Sequence, residues 1–424
     1  MTSHSKTMTT NAGDVQNAII LTAENLNESL AGLPRKAAMV MRKITLLRKG
    51  SLTITVPTGQ TFHYTGPEPG PHGQAVLANW GVVRRVLSNG SLGVAESYIE
   101  EEWSSPDVTS FLELFLANSY GGGAEGFFNR NRLMAFFSRI NHWWNRNSKA
   151  GSKRNISAHY DLGNRFYEQW LDPSMTYSSA LFQEGANSLE EAQEHKYRAL
   201  ARSTDIQPHH HVLEIGCGWG GFAEYVAGKI GAKVTCLTIS REQFDFATQR
   251  MAKAGLSDKV TIKFQDYRDE TGTYDRIGSI EMFEAVGEAY WPSYFSQIHA
   301  CLKPQGRAGL QVITIKDQDL DHYRANPDFI QKYIFPGGML PSVEGMEALG
   351  RAHAVPLVAD RAFGHDYAAT LEEWRHRFWA KWETIKPLGF DPRFKRIWEF
   401  YFHYCEAGFK VGSIDVRQMV FEKA

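Results

Sequence analysis

Short apolar runs alternate with longer amphipathic stretches from about Lys196 to Ile313. Compact apolar runs are typical of buried strands, and apolar residues repeating every three to four positions are typical of helices. The pattern predicts strands at His211–Ile215, Lys233–Thr238, Val260–Phe264, Arg276–Ile280 and Arg307–Ile313. Because helical segments separate the earlier strands, we expect an α/β fold with a doubly wound, Rossmann-like sheet. Its ligand site is expected at the carboxyl ends of the strands.

The N-terminal part of the chain has a different pattern. A basic, helical stretch, RKAAMVMRKITLLRKG, precedes SLTITVPTGQTFHY, whose alternation around Pro57-Thr58-Gly59 predicts a hairpin. Two helices are expected next, around 80–87 and 107–116, before three glycines at 121–123 interrupt the pattern. We therefore expect a smaller N-terminal α+β domain.

A basic and aromatic segment follows at 127–154. Apolar positions such as Phe137, Trp143 and Trp144 recur at helical spacing, and the segment has many Arg and Lys but no acidic residue. Two interpretations stay open: a helix packed against its own domain and followed by a linker, or a helix at a bilayer surface with basic side chains towards anionic lipid.

The last hundred residues are rich in Trp, Phe and Tyr. Their pattern predicts a mainly helical region that packs over the ligand site as a substrate-binding cover.

Composition narrows the possible classes of protein. Lys and Arg total 46 against 47 Asp and Glu, so no net charge indicates a nucleic-acid partner. The four cysteines are widely spaced, which favours a reducing cytosol over a disulfide framework or a zinc site. We expect no metal at His209–His211, because three consecutive side chains project in different directions. A secretory signal and an apolar run of about 18 residues are also absent from the sequence, so we expect neither secretion by that route nor a membrane span.

The loop VLEIGCGWGG raises the question of which ligand it holds. Gly216, Gly218 and Gly221 have the spacing of a dinucleotide fingerprint, but the acid expected about 20 residues later is replaced by the strand end Leu237–Ser240. Glu214, two positions before Gly216, can approach the cationic end of S-adenosylmethionine. The residues thus favour S-adenosylmethionine, while a nicotinamide cofactor stays open.

Seven motifs occur in a fixed order along the chain. They are SAHYDLGNRFYEQWLDPSMTYSSALF, VLEIGCGWGGFAEYVA, LTISREQ, QDYRD, YDRIGSIEMFEAVG, KYIFPGGMLPS and FGHDYAATLEEW. Together they resemble the cyclopropane-fatty-acyl-phospholipid synthases and their mycolic-acid-modifying relatives. The resemblance covers 155–424 and implies a class I, S-adenosylmethionine-dependent methyltransferase domain there. Residues 125–154 would be a basic helix and linker, and 1–124, which resemble the family more loosely, a lipid-binding or association domain.

The resemblance also implies residues that bind the cofactor. Tyr177 and Ser178 would contact the methionine part, and Glu214, Gly216 and Gly218 would form the loop. Thr238 and Gln243 would bind the ribose, and Asp266 and Tyr267 the adenine.

In this family the cis double bond of an acyl chain attacks the methyl group of S-adenosylmethionine, which leaves a carbocation on the chain. Loss of a proton from the new methyl closes a cyclopropane, whereas loss from a neighbouring carbon leaves a methyl-branched alkene. A base must therefore lie close to the departing proton, and water must be excluded.

The family's base is a bicarbonate ion held by Cys, Glu, His, Tyr and a backbone group. Here Glu284, Tyr367 and the backbone at Ile313 match, but Ser179 replaces the Cys and Gln311 replaces the His. Ala285 also replaces a His that usually follows the Glu. We expect a cyclopropane product from unsaturated phospholipid chains, with a methyl-branched unsaturated chain as the alternative.

The resemblance further implies a cytoplasmic enzyme, peripheral on the inner face of the membrane, that can form a homodimer. Two other classes stay open: a small-molecule methyltransferase, and a non-catalytic lipid-binding relative.

Overall fold

The structure is a computed structural model that describes residues 17–119 and 162–424. The glycines at 121–123, the basic aromatic segment at 127–154 and the start of the first family motif lie outside the described residues. The described chain forms two compact units, one of 17–119 with 391–411 and one of 162–390 with 412–424.

The first unit contains a five-stranded sheet in the order β1-β3-β2-β4-β5. Its strands are β1 Ile19–Ile20, β2 Lys49–Thr55, β3 Thr61–Thr65, β4 Glu68–Leu77 and β5 Trp103–Ser104. β2 and β3 pair antiparallel with Ile54 opposite Phe62, and Gly59 takes a φ of 85° in the turn between them. Glycine adopts this backbone conformation without steric cost. The predicted hairpin is confirmed.

The helices of the first unit flank this sheet. They span Leu26–Ser29, Arg35–Arg42, Gly81–Asn89, Ser91–Ile99, Val108–Ser119 and Pro392–Lys410, and a 3-10 turn at Lys43–Leu46 extends the second of them. The helices expected around 80–87 and 107–116 are present.

The helix Pro392–Lys410 belongs to this first unit. The Thr109 hydroxyl lies 2.7 Å from Nδ1 of His403, and the Arg396 guanidinium lies 4.1 Å from the ring centre of Tyr98. The division drawn from the sequence, which assigned all of 155–424 to the catalytic domain, therefore differs from the structure at this helix. Chain order does not indicate which unit an amphipathic helix near the C-terminus packs against.

The second unit contains a seven-stranded sheet in the order β11-β12-β10-β9-β6-β7-β8. Its strands are β6 His211–Ile215, β7 Lys233–Thr238, β8 Val260–Phe264, β9 Tyr274–Ile280, β10 Leu302–Ile315, β11 Leu357–Ala362 and β12 Ile414–Glu422. β6 to β10 run parallel, which confirms the predicted doubly wound sheet. The first three predicted strands have the observed bounds, and the other two are longer than expected.

The last two strands were not predicted. The final hundred residues are mainly helical, as expected, but β12 pairs antiparallel with both β10 and β11 and extends the sheet.

Helices pack on both faces of this sheet. They span Asn164–Tyr167, Leu189–Ser203, Gly221–Tyr225, Arg241–Lys253, Trp291–Cys301, Leu320–Ala325, Val343–Ala352, Gly364–Ala380 and Trp382–Ile385. The side chains of Ser188 and Ser240 accept hydrogen bonds from the first turns of the helices that follow them. These N-caps satisfy backbone donors that would otherwise lack partners, and they fix where the helices begin beside the ligand edge.

Candidate active site

The candidate site lies at the carboxyl edge of the parallel strands in the second unit. Glu214 is the last residue but one of β6, Thr238 ends β7, and Glu281 follows β9 directly. Gln311 of β10 is paired with Ile280, so it lies level with the end of β9. Parallel strands end at one edge, which is where open α/β sheets bind ligands.

The glycine loop between β6 and the helix Gly221–Tyr225 has the shape of a ligand cradle. Gly216, Gly218 and Gly220 have φ of 78°, 51° and 85°, a region that L side chains rarely adopt. A Cβ on Gly216 would lie 2.6 Å from Cγ of Met282, whereas a Cβ on Gly218 would meet nothing within 4 Å. The space beside Gly218 and the exposed backbone fit the predicted cofactor.

Glu214 lies beneath this loop with only 3% of its surface exposed. Burial raises the pKa of its carboxyl to about 8. The Cys236 thiol, 3.5 Å from Oε2, favours the ionised form, but this effect is smaller than that of burial. A cationic ligand nearby would restore the ionised form. The carboxylate thus suits the positively charged part of S-adenosylmethionine.

Two predicted ribose-binding residues meet at the end of β7. The Thr238 hydroxyl donates to Oε1 of Gln243 over 2.9 Å, and both side chains are buried. The backbone N–H of Ser240 donates to the same hydroxyl over 3.2 Å. The structure thus brings Thr238 and Gln243 together, and their role at a ribose stays a prediction.

The residues predicted to bind adenine follow β8. Asp266 is engaged by Arg268, whose Nη2 lies 2.6 Å from Oδ2, so its carboxylate already serves an ion pair. The ring of Tyr267 packs edge-on against Tyr294 at 5.2 Å, and burial raises the pKa of its hydroxyl to about 12. That hydroxyl is buried without a hydrogen-bond partner in the described part of the chain. A ligand at this position would provide one.

The residues predicted near the methionine part are also placed by close contacts. Tyr177 packs among aromatic rings, with centroids 5.4 Å from Tyr167 and 5.3 Å from Trp374. The hydroxyl of Ser178 accepts a 2.6 Å hydrogen bond from the buried ammonium group of Lys196.

The predicted bicarbonate site is occupied by a protein carboxylate, that of Glu281. Its Oε1 accepts from the backbone N–H of Ser179 and from Nε2 of Gln311, both over 2.8 Å, and its Oε2 accepts from the Tyr367 hydroxyl over 2.6 Å. These residues are three of the five groups that were expected to hold bicarbonate, the other two being Glu284 and the backbone at Ile313. Because they already hold Glu281, they do not fit a separate bicarbonate ion, and this expectation is corrected.

One of these donors, Ser179, differs from the sequence prediction, and another, Gln311, agrees with it. The Ser179 hydroxyl donates to the carbonyl of Ala180 over 3.0 Å, so Ser179 serves the site with its backbone rather than its side chain. Gln311 does serve with its side chain, and its orientation is fixed because Nε2 of Gln418 donates to its Oε1 over 3.1 Å.

Glu281 also has an unusual backbone conformation. Its φ is 50°, which is uncommon for a residue other than glycine. Such strain persists only where the surroundings fix it, and it is concentrated at functional sites. The hydrogen bonds from Ser179, Gln311 and Tyr367 provide that fixation here.

Glu284, the carboxylate predicted from the sequence, has a different environment. Its Oε1 accepts from the backbone N–H of Ile313 over 2.5 Å, while its Oε2 is buried without a partner in the part of the chain described. Burial, together with the nearby charge of Glu281, raises its pKa to about 8. Ala285 lies next to it in a 3-10 turn. Glu284 is therefore the neutral member of the two carboxyl groups near pH 7.

Burial also raises the pKa of Glu281, but three hydrogen bonds and Lys196 favour its charged form. Lys196 is fully buried, and desolvation lowers its pKa to about 7 against the attraction of Glu281, Asp172 and Glu214. Glu281, with three donors against one, has the environment of the two that favours the negative charge more strongly. Two interacting carboxyls in different environments commonly divide the charged and neutral roles in this way.

The sequence prediction missed Glu281, Lys196 and Gln418. A signal existed for Glu281, because it directly follows a predicted buried strand at the ligand edge, inside the quoted motif YDRIGSIEMFEAVG. Lys196 and Gln418 gave no such signal, since they come from a helix and from a strand that was not predicted.

Comparisons with known proteins agree with this geometry. The family described as mycolic acid cyclopropane synthetase matches residues 147–419. Tuberculostearic acid methyltransferase UfaA1 of Mycobacterium tuberculosis is 37% identical over 356 residues, covering 80% of each chain. The cyclopropane-fatty-acyl-phospholipid synthase of Escherichia coli K12 is 37% identical over 340 residues, covering 80% of this chain and 85% of the relative.

Solved structures give the same result. Mycolic acid cyclopropane synthase CmaA1, complexed with SAH and CTAB, superposes with a TM-score of 0.60 at 30% identity. The match covers 64% of this chain and 98% of that structure. In the two described stretches, 17–119 and 162–424, we find no helix with the length and apolarity needed to cross a bilayer.

Proposed function

The chain belongs to the mycolic acid cyclopropane synthetase family and is an S-adenosylmethionine-dependent methyltransferase of lipids, and from this premise we propose that it methylates unsaturated phospholipid chains with Glu281 as the base. The observation that carries the proposal is the carboxylate of Glu281, held by Ser179, Gln311 and Tyr367.

The residues of this chain would divide the work between two halves of the site. Glu214, the glycine loop and the Thr238–Gln243 pair would hold S-adenosylmethionine, which supplies an electrophilic methyl group. The π-electrons of a cis double bond form the new bond to that methyl while its bond to sulfur breaks, leaving a cation on the acyl chain. Glu281 then accepts one proton from the methylated chain, and the electron pair of the broken C–H bond neutralises the cation.

The hydrogen bonds to Glu281 serve this step in two ways. They orient both carboxylate oxygens in a buried place, and they oppose the rise in pKa that burial causes, which favours the ionised form that accepts a proton. The aromatic rings around Tyr177, Trp374 and Tyr367 lie close to these groups, with 6.1 Å between the centroids of Tyr367 and Trp374. Aromatic faces stabilise a nearby cation, and their bulk excludes the water that would trap it.

We propose that the main product is a methyl-branched unsaturated chain. Ring closure was expected because Glu284, Tyr367 and the Ile313 backbone matched the bicarbonate site. In the structure Tyr367 donates to Glu281 instead, so those three groups do not form one anion site. The two relatives at 37% identity are named for different activities, one a methyltransferase and one a cyclopropane synthase, so their names do not favour either product. The support for a branched product is the separation of Tyr367 from the Glu284 and Ile313 pair.

The substrate class is part of the proposal. Support comes from the match to the phospholipid-acting synthase, which covers 80% of this chain. We propose that the enzyme acts on intact phospholipid at a membrane surface in the cytoplasm, and dimer formation stays a prediction. Comparing oleoyl phospholipid with free oleate and with oleoyl thioester as substrates tests this class.

The product is tested with S-adenosylmethionine that carries a fully deuterated methyl group. Proton loss from a chain carbon leaves three deuterium atoms in the product. Ring closure leaves two, and so does a hydride shift along the chain followed by loss of a deuteron from the methyl group, which gives a methylene branch. Mass spectrometry after mild hydrogenation separates the last two, because the alkene gains two hydrogens and the ring gains none. A product with two deuteriums that resists hydrogenation would show that ring closure is the main reaction.

A further inference from the structure

The stretch 179–183 contacts Glu281 but belongs to no helix or strand. Each of its five backbone N–H groups nevertheless has a partner. The first, at Ser179, donates to Oε1 of Glu281 over 2.8 Å, and the third, at Leu181, donates to the carbonyl of Ala192 over 2.9 Å. The other three donate to two side chains of one helix, Gly364–Ala380. A buried irregular stretch depends on such acceptors, because unpaired backbone groups away from water are costly.

Asp366 and Thr370 are the two side chains that hold this stretch. Oδ1 of Asp366 accepts from the N–H groups of Phe182 and Gln183 over 2.8 and 3.0 Å. The Thr370 hydroxyl accepts from the N–H of Ala180 over 3.1 Å and donates to the carbonyl of Asp366 over 2.7 Å. Because the two residues are four positions apart on one helix, they lie on the same face of it.

These acceptors are buried. Thr370 and Ala180 have no exposed surface, and Asp366 has only 4% of its surface exposed. Burial raises the pKa of the Asp366 carboxyl, and its Oδ2 has no hydrogen-bond partner within 17–119 and 162–424. A buried carboxyl with one unpaired oxygen costs stability. The two backbone donors that it holds explain its presence better than packing does.

The same helix also supplies a direct donor to Glu281. The hydroxyl of Tyr367 donates to Oε2 of Glu281 over 2.6 Å. The N–H of Ser179 donates to Oε1, and the next residue, Ala180, is held by Thr370. One helix therefore acts on both carboxylate oxygens, on one of them directly and on the other through the stretch 179–183.

We propose that Thr370 and Asp366 are positioning residues for Glu281. By holding the stretch that follows Ser179, they keep its N–H group directed at the carboxylate. The inference rests on the proposed function, because it concerns the base that this function assigns. It adds two residues that act through Ser179 rather than on the reacting atoms.

The pH profile of Thr370→Val tests this inference. Valine keeps the shape of threonine but offers no acceptor to Ala180, so the N–H of Ser179 should hold the ionised form of Glu281 less firmly. The pKa of Glu281 should then rise, and the acid limb of kcat should move up by about half a pH unit. On its plateau kcat should fall roughly fivefold, because the carboxylate is displaced. The Kd of S-adenosylhomocysteine and the KM of oleoyl phospholipid should each change less than about twofold.

Two matched variants separate positioning from stability. Thr370→Ser keeps the hydroxyl and should restore the limb and bring kcat to within about twofold of the wild type. Thr235→Val removes another buried hydroxyl, which lies 2.9 Å from Nε2 of His211, and it should lower the melting temperature without moving the limb. A limb that moves equally in Thr235→Val, or that stays in place in Thr370→Val, would overturn the inference. Equal losses of kcat and of cofactor affinity in Thr370→Val would also overturn it.

Asp366→Ala provides the test if Thr370→Val does not fold. This variant removes the acceptor of Phe182 and Gln183 and keeps the one at Thr370. It should move the acid limb in the same direction. An unmoved limb in folded Asp366→Ala would contradict the positioning role.

Infrared difference spectra recorded between pH 5 and pH 9 follow the ionisation of Glu281 without turnover. Its band is the one that disappears in Glu281→Gln, and it should titrate at higher pH in Thr370→Val than in the wild type. Lys196, Glu284 and Tyr367 also act on the charge of Glu281, and all three are unchanged in this variant. An unmoved band would overturn the positioning role even if Glu281 is the base. Turnover of Glu281→Gln within tenfold of the wild type would refute the proposed function, while a moved band would still show that Thr370 acts on Glu281.

Discussion

Two halves of the candidate site follow the family pattern to different degrees. The cofactor half consists of Glu214, the glycine loop and the residues that end β7, and each has the type that the resemblance implies. The reaction half consists of Glu281 with Ser179, Gln311 and Tyr367, and there a protein carboxylate takes the place of the expected ion. The difference indicates that the cofactor half follows the family pattern, while the reaction half departs from the bicarbonate pattern that the resemblance implies.

The two halves also treat their carboxylates differently. Glu214 is buried with a thiol as a weak donor, so a positively charged ligand would be needed to stabilise its ionised form. Glu281 has three strong donors within the protein and needs no ligand to define its position. The cofactor half is thus completed by its ligand, whereas the reaction half is preorganised.

The largest effect is expected at the base itself. Glu281→Gln keeps the shape of the side chain but removes the proton acceptor, so turnover should fall on the order of 10³-fold. Binding of S-adenosylhomocysteine, measured by calorimetry, should change less than about twofold because the cofactor half is intact. Glu242→Gln, which changes an exposed carboxylate, is the matched control. Turnover within tenfold of the wild type would refute Glu281 as the base.

The next effect separates binding from chemistry. Gly218→Val should weaken S-adenosylhomocysteine at least about 100-fold, because a valine at φ 51° is strained and fills the open space beside the loop. Gly255→Val is a matched control, since Gly255 has a φ of 67° and equally open surroundings away from the site. Both variants should lose stability, but only the first should lose the ligand. Equal affinities in the two variants would contradict the assignment of the cradle.

The sequence alone predicted most of the cofactor half. The bounds of β6 and β7 were obtained from local apolar runs flanked by polar residues, and Glu214 and Gly218 lie inside one continuous motif. Local signals suffice where a strand, a loop and a helix start follow each other in the chain. The resemblance then supplied the ligand.

The reaction half was predicted less well, because its contacts join distant segments. Tyr367 and Glu281 are 86 positions apart, and Ser179 and Glu281 are 102 apart. Gln418 comes from β12, whose polar and apolar residues gave no clear strand signal before its pairing with β10 and β11 was known. A motif match located Glu284, but it could not show that Glu281, three positions earlier, accepts the hydrogen bonds from Ser179, Gln311 and Tyr367.

A smaller effect is expected at the buried ammonium group. Lys196→Met removes a positive charge near Glu281, so the pKa of that carboxyl should rise and turnover near pH 7 should fall about tenfold. Because the base works in its ionised form, kcat/KM increases with pH on the acid side, and this limb should move to higher pH in the variant. A pH profile measures the shift. Lys229→Met, on the surface, should leave the limb in place, and an unmoved limb in Lys196→Met would show that the lysine has only a packing role.

The smallest effect on activity is expected at Glu284, which the resemblance had made the catalytic carboxylate. Glu284→Gln keeps an oxygen that accepts the hydrogen bond from the Ile313 backbone, so turnover should fall less than about tenfold, far less than in Glu281→Gln.

The pH dependence of stability separates Glu284→Gln from the wild type more clearly than activity does. Burial raises the pKa of Glu284 from 4.5 to about 8, so its contribution to stability is fully present below about pH 4.5 and is lost as the pH rises through 8. Glutamine stays neutral, and the melting temperature of the variant relative to wild type should therefore rise between pH 5 and pH 9. Thermal unfolding across this range measures the trend, with Glu242→Gln as the control that stays flat. A severe loss of turnover in Glu284→Gln, with no pH trend in relative stability, would indicate that Glu284 is the ionised base. It would contradict the assignment of Glu281 as the charged carboxyl and Glu284 as the neutral one.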